Sequence, residues 1–415
     1  MKILHTADWH LGNVFHGYAR IDEHRHFLSW LLDVLRLEQP DALVIAGDVF
    51  DSANPPAAAE RLFYDFLLDA TEAVHGLQIV VIAGNHDSAH RLEAPAELLR
   101  THNVYVRGLI RRDAETDKTD FDHYILPLSL HTDSEACLTC LAVPYLRPSD
   151  YPGGLTPTEG LAWFIQNTCR AYAKSAFKSL PFIVAAHFYA AGADICADEH
   201  SERLVVGGQE CVDAATLDCG AAYVALGHIH KAQHVAGGHT EMHYAGSVLP
   251  MSFSEKNYRH GINCLTVDSN GETALRRIDY QPLRGLISIP QKGAATPAEV
   301  FEAIDALPRR DKDDTGDDWP YLEIRVAENQ PMPSLMHEVT EALSKRAVRF
   351  CRMVRQWPET TRQTGRPAHL NAIRQLTAQD IANEAFEAKY ASKMPEALVQ
   401  RLQTAIEAAT TDTQD

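Results

Sequence analysis

Long hydrophobic runs are missing from the sequence: none approaches the roughly 20 apolar residues that a helix needs to cross a bilayer. The opening MKILHTADWH carries Asp8 and two histidines where a secretory leader would be uniformly apolar, so a cytoplasmic protein is expected. Cysteine is sparse. The eight cysteines are scattered, and the single CxxC, Cys137 to Cys140, has no second one to complete a zinc ribbon. Reduced, buried thiols are therefore expected rather than a disulfide framework. No phosphate-cradling P-loop and no serine nucleophile elbow is apparent.

Positive charge is also in deficit. The net charge is −18, whereas proteins that bind nucleic acid nonspecifically are usually basic. The exception is residues 341–366, with seven Lys or Arg (Lys345, Arg346, Arg349, Arg352, Arg355, Arg362 and Arg366) against Glu341 and Glu359. Such a stretch is either a solvated face or a source of phosphate contacts.

What is present is an ordinary globular composition, 45% hydrophobic and 23% charged, in a chain long enough for about two or three domains. Apolar strand-like runs alternate with helical patterns. KILHTA precedes a helical stretch near 20–37, DALVIAGD precedes one near 56–73, and QIVVIAGNHD precedes one near 91–100. PFIVAAHFYA, AAYVALGHIH and MHYAGSVLP follow. Continuous Val/Ile/Ala runs mark strands buried on both faces, covered by helices or a second sheet. Near 281–300 the texture changes, and a smaller unit is expected with strand 285–290, helix 297–307, strand 320–327, helix 332–346 and strand 347–355. A polar linker and a helical tail complete the chain. The expected domains are 1–280, 281–357 and 358–415.

The chemistry collects at strand ends. Asp8 and His10 end the first run at positions i and i+2, so both can face one side of the sheet. Asp48 ends the second, Asn85 and His86 the third, His187 the next, and His228 and His230 close YVALGHIH. One strand-end histidine is usually structural, but five strands that all end in ligands are hard to explain as core or turn. Imidazoles, carboxylates and an amide together suit two divalent cations about 4 Å apart with a bridging carboxylate, a set that activates water and clamps phosphoryl groups. The mixed N/O donors favour manganese, iron, zinc or cobalt over magnesium.

The order DxH, GD, GNHD, H, GHxH resembles the calcineurin-like metallophosphoesterases. More narrowly, ILHTADWHLG, GDVFD, GNHDS, ALGHIH and AGSVLPMSFSE resemble the SbcD family, nuclease subunits that work with a coiled-coil SbcC ATPase. The resemblance spans about residues 1–280. It implies an α/β metallophosphoesterase sandwich, a smaller α/β capping domain that helps select DNA shape, and a helical tail that docks on the partner. It implies one cation on Asp8, His10, Asp48 and His230, and a second on Asp48, Asn85, His187 and His228. His86 then donates a proton to the leaving oxygen. Manganese is the first expectation, with Mg2+, Fe2+, Zn2+ or Co2+ as alternatives. The implied activity is double-strand exonuclease and single-strand or hairpin endonuclease action in DNA repair and recombination, by a homodimer bound to the ATPase and DNA. Protein phosphatases of this fold carry GDxxDRG. Here Ser52 stands in place of that arginine, so the rival is a stand-alone phosphodiesterase for small molecules or nucleotides. Asp51, three residues after Asp48, is expected to pair its carboxylate with His86 and keep that imidazole protonated.

Overall fold

The structure, a computed structural model, describes residues 1–190, 218–236, 240–311, 315–328 and 332–357, with isolated positions at 193, 212–214, 386, 394–395 and 398–402. Most of the expected linker and docking tail therefore lies outside the described residues, including Ile381, Ala385 and Ile406. The chain divides into two compact units, residues 1–356 and 357–415.

Two six-stranded sheets form the centre of the first unit. One orders its strands Thr273–Asp279, Gly261–Val267, Lys2–Thr6, Ala42–Ala46, Gln78–Ile82 and Val104–Arg107. The other orders Gln233–His234, Glu241–Tyr244, Tyr223–Gly227, Phe182–His187, Ala136–Val143 and Ile125–Ser129. Strand Ala42–Ala46 shows why the apolar runs are continuous. Ala42, Val44 and Ala46 pack between the sheets with Ile183, Ala185 and Ala225, while Leu43 and Ile45 pack outward among side chains of the helices. Helices Ile21–Glu38 and Ala57–Ala73 cover the first sheet, and Pro157–Tyr172 covers the second. The layers therefore run helix, sheet, sheet, helix.

Most expected elements lie within one to three residues of their positions. The helix expected near 91–100 is two short helices, Ala89–Glu93 and Ala96–Arg100, because Pro95 between them lacks an N–H and cannot continue the first. Helix Pro157–Tyr172 has no counterpart among the expected elements. Its start, Thr156-Pro157-Thr158-Glu159, is a capping box in which the Thr156 hydroxyl and the Glu159 carboxylate satisfy each other's backbone N–H. The same pattern, Thr296-Pro297-Ala298-Glu299, opens helix Pro297–Asp305.

Strands Leu286–Ile289, Tyr321–Ala327 and Arg349–Gln356 form a separate parallel sheet. Its Leu322, Ile324 and Val326 face the core of helices Pro297–Asp305 and Leu335–Leu343. On the opposite face Tyr321 packs with Phe15 and Phe253 of the larger domain. The basic strand is not a free comb of cations. Arg352 pairs with buried Glu323 at 2.5 Å and Arg355 with buried Glu328 at 3.3 Å, Arg346 pairs with Asp305 at 2.5 Å, and Arg349 donates to the Gly316 carbonyl. The expected phosphate contacts would have to compete with these partners.

Candidate metal centre

Register brings the strand ends into line. His187 stands opposite Gly227, and Ala46 opposite Ile82, so the strands of each sheet end level, and the ligand atoms of both sheets meet at these C-terminal ends. The chain must then turn sharply. Asp8, His10, Asp48 and His228 all have positive φ, at 54°, 46°, 49° and 102°. A non-glycine residue in such a conformation costs about 1–3 kcal/mol and persists where surrounding structure enforces it, often at functional sites. Here the enforcement is visible: Asp8 N donates to the Gly47 carbonyl and His10 N to the Asp48 carbonyl.

The glycines before the ligands answer a spatial demand. A Cβ on Gly84 would lie 2.1 Å from Asp48 Oδ1, and one on Gly227 would lie 1.9 Å from the Ala46 carbonyl oxygen. Neither position admits a side chain: Gly84 lies against the turn that follows the neighbouring strand of its own sheet, and Gly227 lies where the two sheets converge.

All seven expected ligands come together. Ligand atoms of Asp8, His10 and His230 lie within 4.8 Å of one another, as do those of Asp48, His187 and His228. His10, Asp48 and His86 form a third such group, so Asp48 is common to two of the three. Asn85 Oδ1 lies 3.0 Å from His187 Nε2 and 2.9 Å from His228 Nδ1. His10 Nε2 and His230 Nε2 face each other at 3.2 Å. Two imidazole nitrogens and a cluster of oxygens pointing into one space are donors without enough protons between them, which is what a cation site requires. The residues therefore fit two divalent ions. The field agrees. Burial acts to discharge His187, but the Asp48 carboxylate 3.4 Å away outweighs it and raises the imidazole to about 9. Burial acts to raise Asp48, and His187 outweighs it in turn, holding the carboxylate far below its ordinary range. His228, buried and beside His187, is lowered to about 3 and so is neutral. Burial raises Asp8. Positive charge is favoured where the carboxylates converge.

The outer nitrogens are held as well. His187 Nδ1 donates to the Ala46 carbonyl at 2.8 Å, which leaves Nε2 for the centre. His230 Nδ1 lies 3.2 Å from Glu255 Oε1, and Glu255 also accepts from Met251 N. Carboxylate–histidine–metal relays of this kind fix tautomer and orientation. Glu255 is absent from the residues that sequence reasoning singles out, although it closes AGSVLPMSFSE. Asp87 is not a ligand: its buried carboxylate accepts from the N–H groups of Val49, Phe50 and Gly84, clamping the turn after Asp48 to the turn before Asn85.

The expected Asp51–His86 carboxylate pair is corrected by the geometry. His86 Nδ1 donates to the Asp51 main-chain carbonyl at 2.9 Å. The Asp51 carboxylate turns the other way, accepting from Asn13 Nδ2 at 2.9 Å and standing 3.5 Å from His10 Nδ1. The physical reason is the turn: the chain leaving Asp48 presents its carbonyl to His86 and its side chain to His10. A carbonyl can only accept, so Nδ1 of His86 keeps its proton and Nε2 is the atom left to exchange one. His86 and Asn85 are partly exposed, whereas Asp8, His10, Asp48, His187, His228 and His230 are buried, so the cluster is open at Asn85 and His86.

Residues 1–232 match the calcineurin-like phosphoesterase family, and residues 282–390 match the family described as type 5 capsule protein repressor C-terminal domain. The chain is 36% identical to the SbcD subunit of nuclease SbcCD from Rhodobacter capsulatus over 377 residues, covering 88% of this chain and 90% of that protein. It is 33% identical to the SbcD subunit from Bacillus subtilis, covering 82% and 83%. To that of Escherichia coli K12 it is 31% identical, covering 66% of each.

Proposed function

Because the chain belongs to the calcineurin-like phosphoesterases and, within them, to the SbcD nuclease subunits, we propose that it cleaves DNA with two divalent cations held by Asp8, His10, Asp48, Asn85, His187, His228 and His230. Its class is plain: it is a metal-dependent phosphodiester hydrolase, and its function is that of an SbcCD-type nuclease in DNA repair. The observation that carries the site assignment is the convergence of seven donor residues at the C-terminal strand ends of two sheets, four of them with positive φ. Bound there, the cations supply an activated water and neutralise charge on the phosphate.

The protein's own groups do the rest. Asp48 lies in contact with both histidine sets and is suited to bridge. Asn85 presents its carbonyl oxygen between His187 and His228. His86 sits at the open side with Nδ1 tied to the Asp51 carbonyl, so Nε2 is aimed by a fixed ring and can deliver a proton to the departing oxygen. His86 N also donates to Asp48 Oδ1 at 2.9 Å, which locks ring and bridging carboxylate together.

We propose manganese as the metal; the mixed nitrogen and oxygen donors suit manganese, iron, zinc or cobalt alike and suit magnesium less well. We further propose cytoplasmic location, a homodimer, and a coiled-coil SbcC-like ATPase as partner, docked by the tail at 358–415. No helix among the described residues is long and apolar enough to cross a membrane. A small-molecule phosphodiesterase has no evident use for the three-stranded domain beyond residue 280, so that reading is not favoured. The test is Asp8→Ala and His187→Ala: each should abolish manganese-dependent hydrolysis of DNA and lose bound metal. Near-full nuclease activity in either variant would refute the two-cation assignment.

A further inference from the structure

A second group of imidazole and carboxylate donors lies away from the nuclease centre. Strand Gln233–His234 is the outer edge of the second sheet and pairs antiparallel with Glu241–Tyr244, with His234 directly opposite His243. Glu241 and His243 are two apart on one strand and share a face. Their neighbours Met242 and Tyr244 point the other way, into the core under helix Pro157–Tyr172. One ligand atom from each of His234, Glu241 and His243 falls within 4.8 Å of the others. His243 Nε2 is 2.5 Å from Glu241 Oε1, and the two imidazole rings are 5.1 Å apart.

The cluster is prepared for a ligand rather than for an ion pair alone. The His243 ring stacks on Tyr223 at 13° and 5.8 Å, and the Tyr223 hydroxyl is itself held by His5 and Asn263. That fixes the orientation of His243. Burial lowers the His243 pKa, against the opposing pull of Glu241. His234 is exposed and can swing onto a shared ion. Two imidazoles directly opposite across a strand pair repel when charged and gain little when neutral. A shared transition-metal ion turns that liability into a cross-link.

We propose that His234, Glu241 and His243 form a structural transition-metal site of the zinc class, separate from the nuclease cations. Two imidazoles and a carboxylate suit zinc, cobalt or nickel and poorly suit calcium or magnesium, which prefer all-oxygen shells. The ion would staple the edge strand to its neighbour. The edge strand begins three residues after His230, and His230 is further held by Ser247 N donating to its carbonyl. A staple here therefore steadies the segment that carries His228 and His230.

The full-length chain, its His234→Ala and His243→Ala variants and a His234→Cys variant are dialysed against zinc buffered by a weak chelator. Metal per chain is then counted by atomic emission. The same set is prepared in the Asp8→Ala background, so the result is a difference that stands whatever the occupancy of the nuclease centre. The expected result is one zinc fewer in each alanine variant, in both backgrounds, with the equivalent retained by His234→Cys, since thiolate is a competent zinc ligand. Zinc should also raise the melting temperature of the Asp8→Ala chain more than that of Asp8→Ala with His234→Ala, a variant at an exposed position that should fold. Equal zinc content in the parent and alanine variants, with equal thermal response, would overturn the site.

Discussion

Asp51 and Glu255 occupy matching places around the nuclease centre. Each presents a carboxylate to the outer nitrogen of a histidine whose other nitrogen points inward, Asp51 to His10 at 3.5 Å and Glu255 to His230 at 3.2 Å. Their roles should therefore show in metal affinity rather than in proton transfer. Glu255→Gln should weaken manganese binding by about ten- to a hundredfold, the usual effect of removing such a partner, with turnover largely restored at saturating manganese. Titration of activity against metal measures this, and an unchanged half-saturation point would remove Glu255 from the relay. Asp51→Asn should act in the same direction but less, because the contact is longer and the amide oxygen can still accept from His10. The alkaline limb of its pH–rate profile should stay in place, since the contact to His86 is made by the Asp51 backbone, which the substitution leaves intact. A limb that moved to lower pH would revive the carboxylate pair that the geometry argues against.

Among elements, the hairpin Val14–Phe15 and Tyr18–Ala19 and the start of helix Ile21–Glu38 connect the nuclease centre to the smaller sheet. Arg20 pairs with Glu23 at 2.8 Å, Arg284 reaches Glu23 at 3.3 Å, and the Tyr321 hydroxyl donates to it at 2.7 Å. All four side chains are buried or nearly so. Burial acts to raise the Glu23 pKa, but the hydrogen bonds and charge of Arg20, with Tyr321 and Arg284, outweigh it and hold the carboxyl below its ordinary value. A carboxylate depressed in the folded state adds stability above its unfolded pKa, near 4.3, and that stability is lost as pH falls through the folded value. Glu23→Gln strands two buried guanidinium groups and should cost about 3–5 kcal/mol at neutral pH. The gap in melting temperature between parent and variant should be constant from neutrality down to mild acid and narrow below about pH 4. A gap that does not change with pH would mean that Glu23 contributes by shape alone. This network also marks what is legible in sequence. The strand-end ligands are visible because each is a polar residue closing an apolar run, and because five runs repeat the pattern. Glu23 and Glu255 are not, since a buried acid on an amphipathic helix or a loop looks like any surface charge until its partner, 261 residues away for Arg284, is placed beside it. The capping box at Thr156 is legible by rule, so helix Pro157–Tyr172 lies within reach of sequence reasoning. The direction of the Asp51 side chain is not legible, because it depends on a single turn of backbone.

For the whole molecule the question is how a chain of net charge −18 engages a polyanion. The basic strand offers less than its composition suggests, since Arg346, Arg352 and Arg355 are already paired with Asp305, Glu323 and Glu328. Affinity for duplex DNA in a protein–DNA complex falls with salt in proportion to the phosphates neutralised, with a slope of about −0.9 per contact. The isolated chain should therefore bind duplex weakly, and its salt slope should be shallow, reflecting few phosphate contacts. If the attraction comes from an SbcC-like ATPase, adding that partner should both tighten binding and steepen the slope. Removing residues after 372 separates the contributions. The seven proposed metal ligands and His86 all lie before residue 231, so the shortened chain should hydrolyse simple phosphodiesters with manganese at the parent rate. It should no longer co-purify with the ATPase, and its DNA binding should keep the shallow slope whether the ATPase is present or not. Full-stoichiometry co-purification of the shortened chain would move the docking surface into residues 1–372, and a steep slope for the isolated parent chain would mean that the paired arginines release their carboxylates to phosphate.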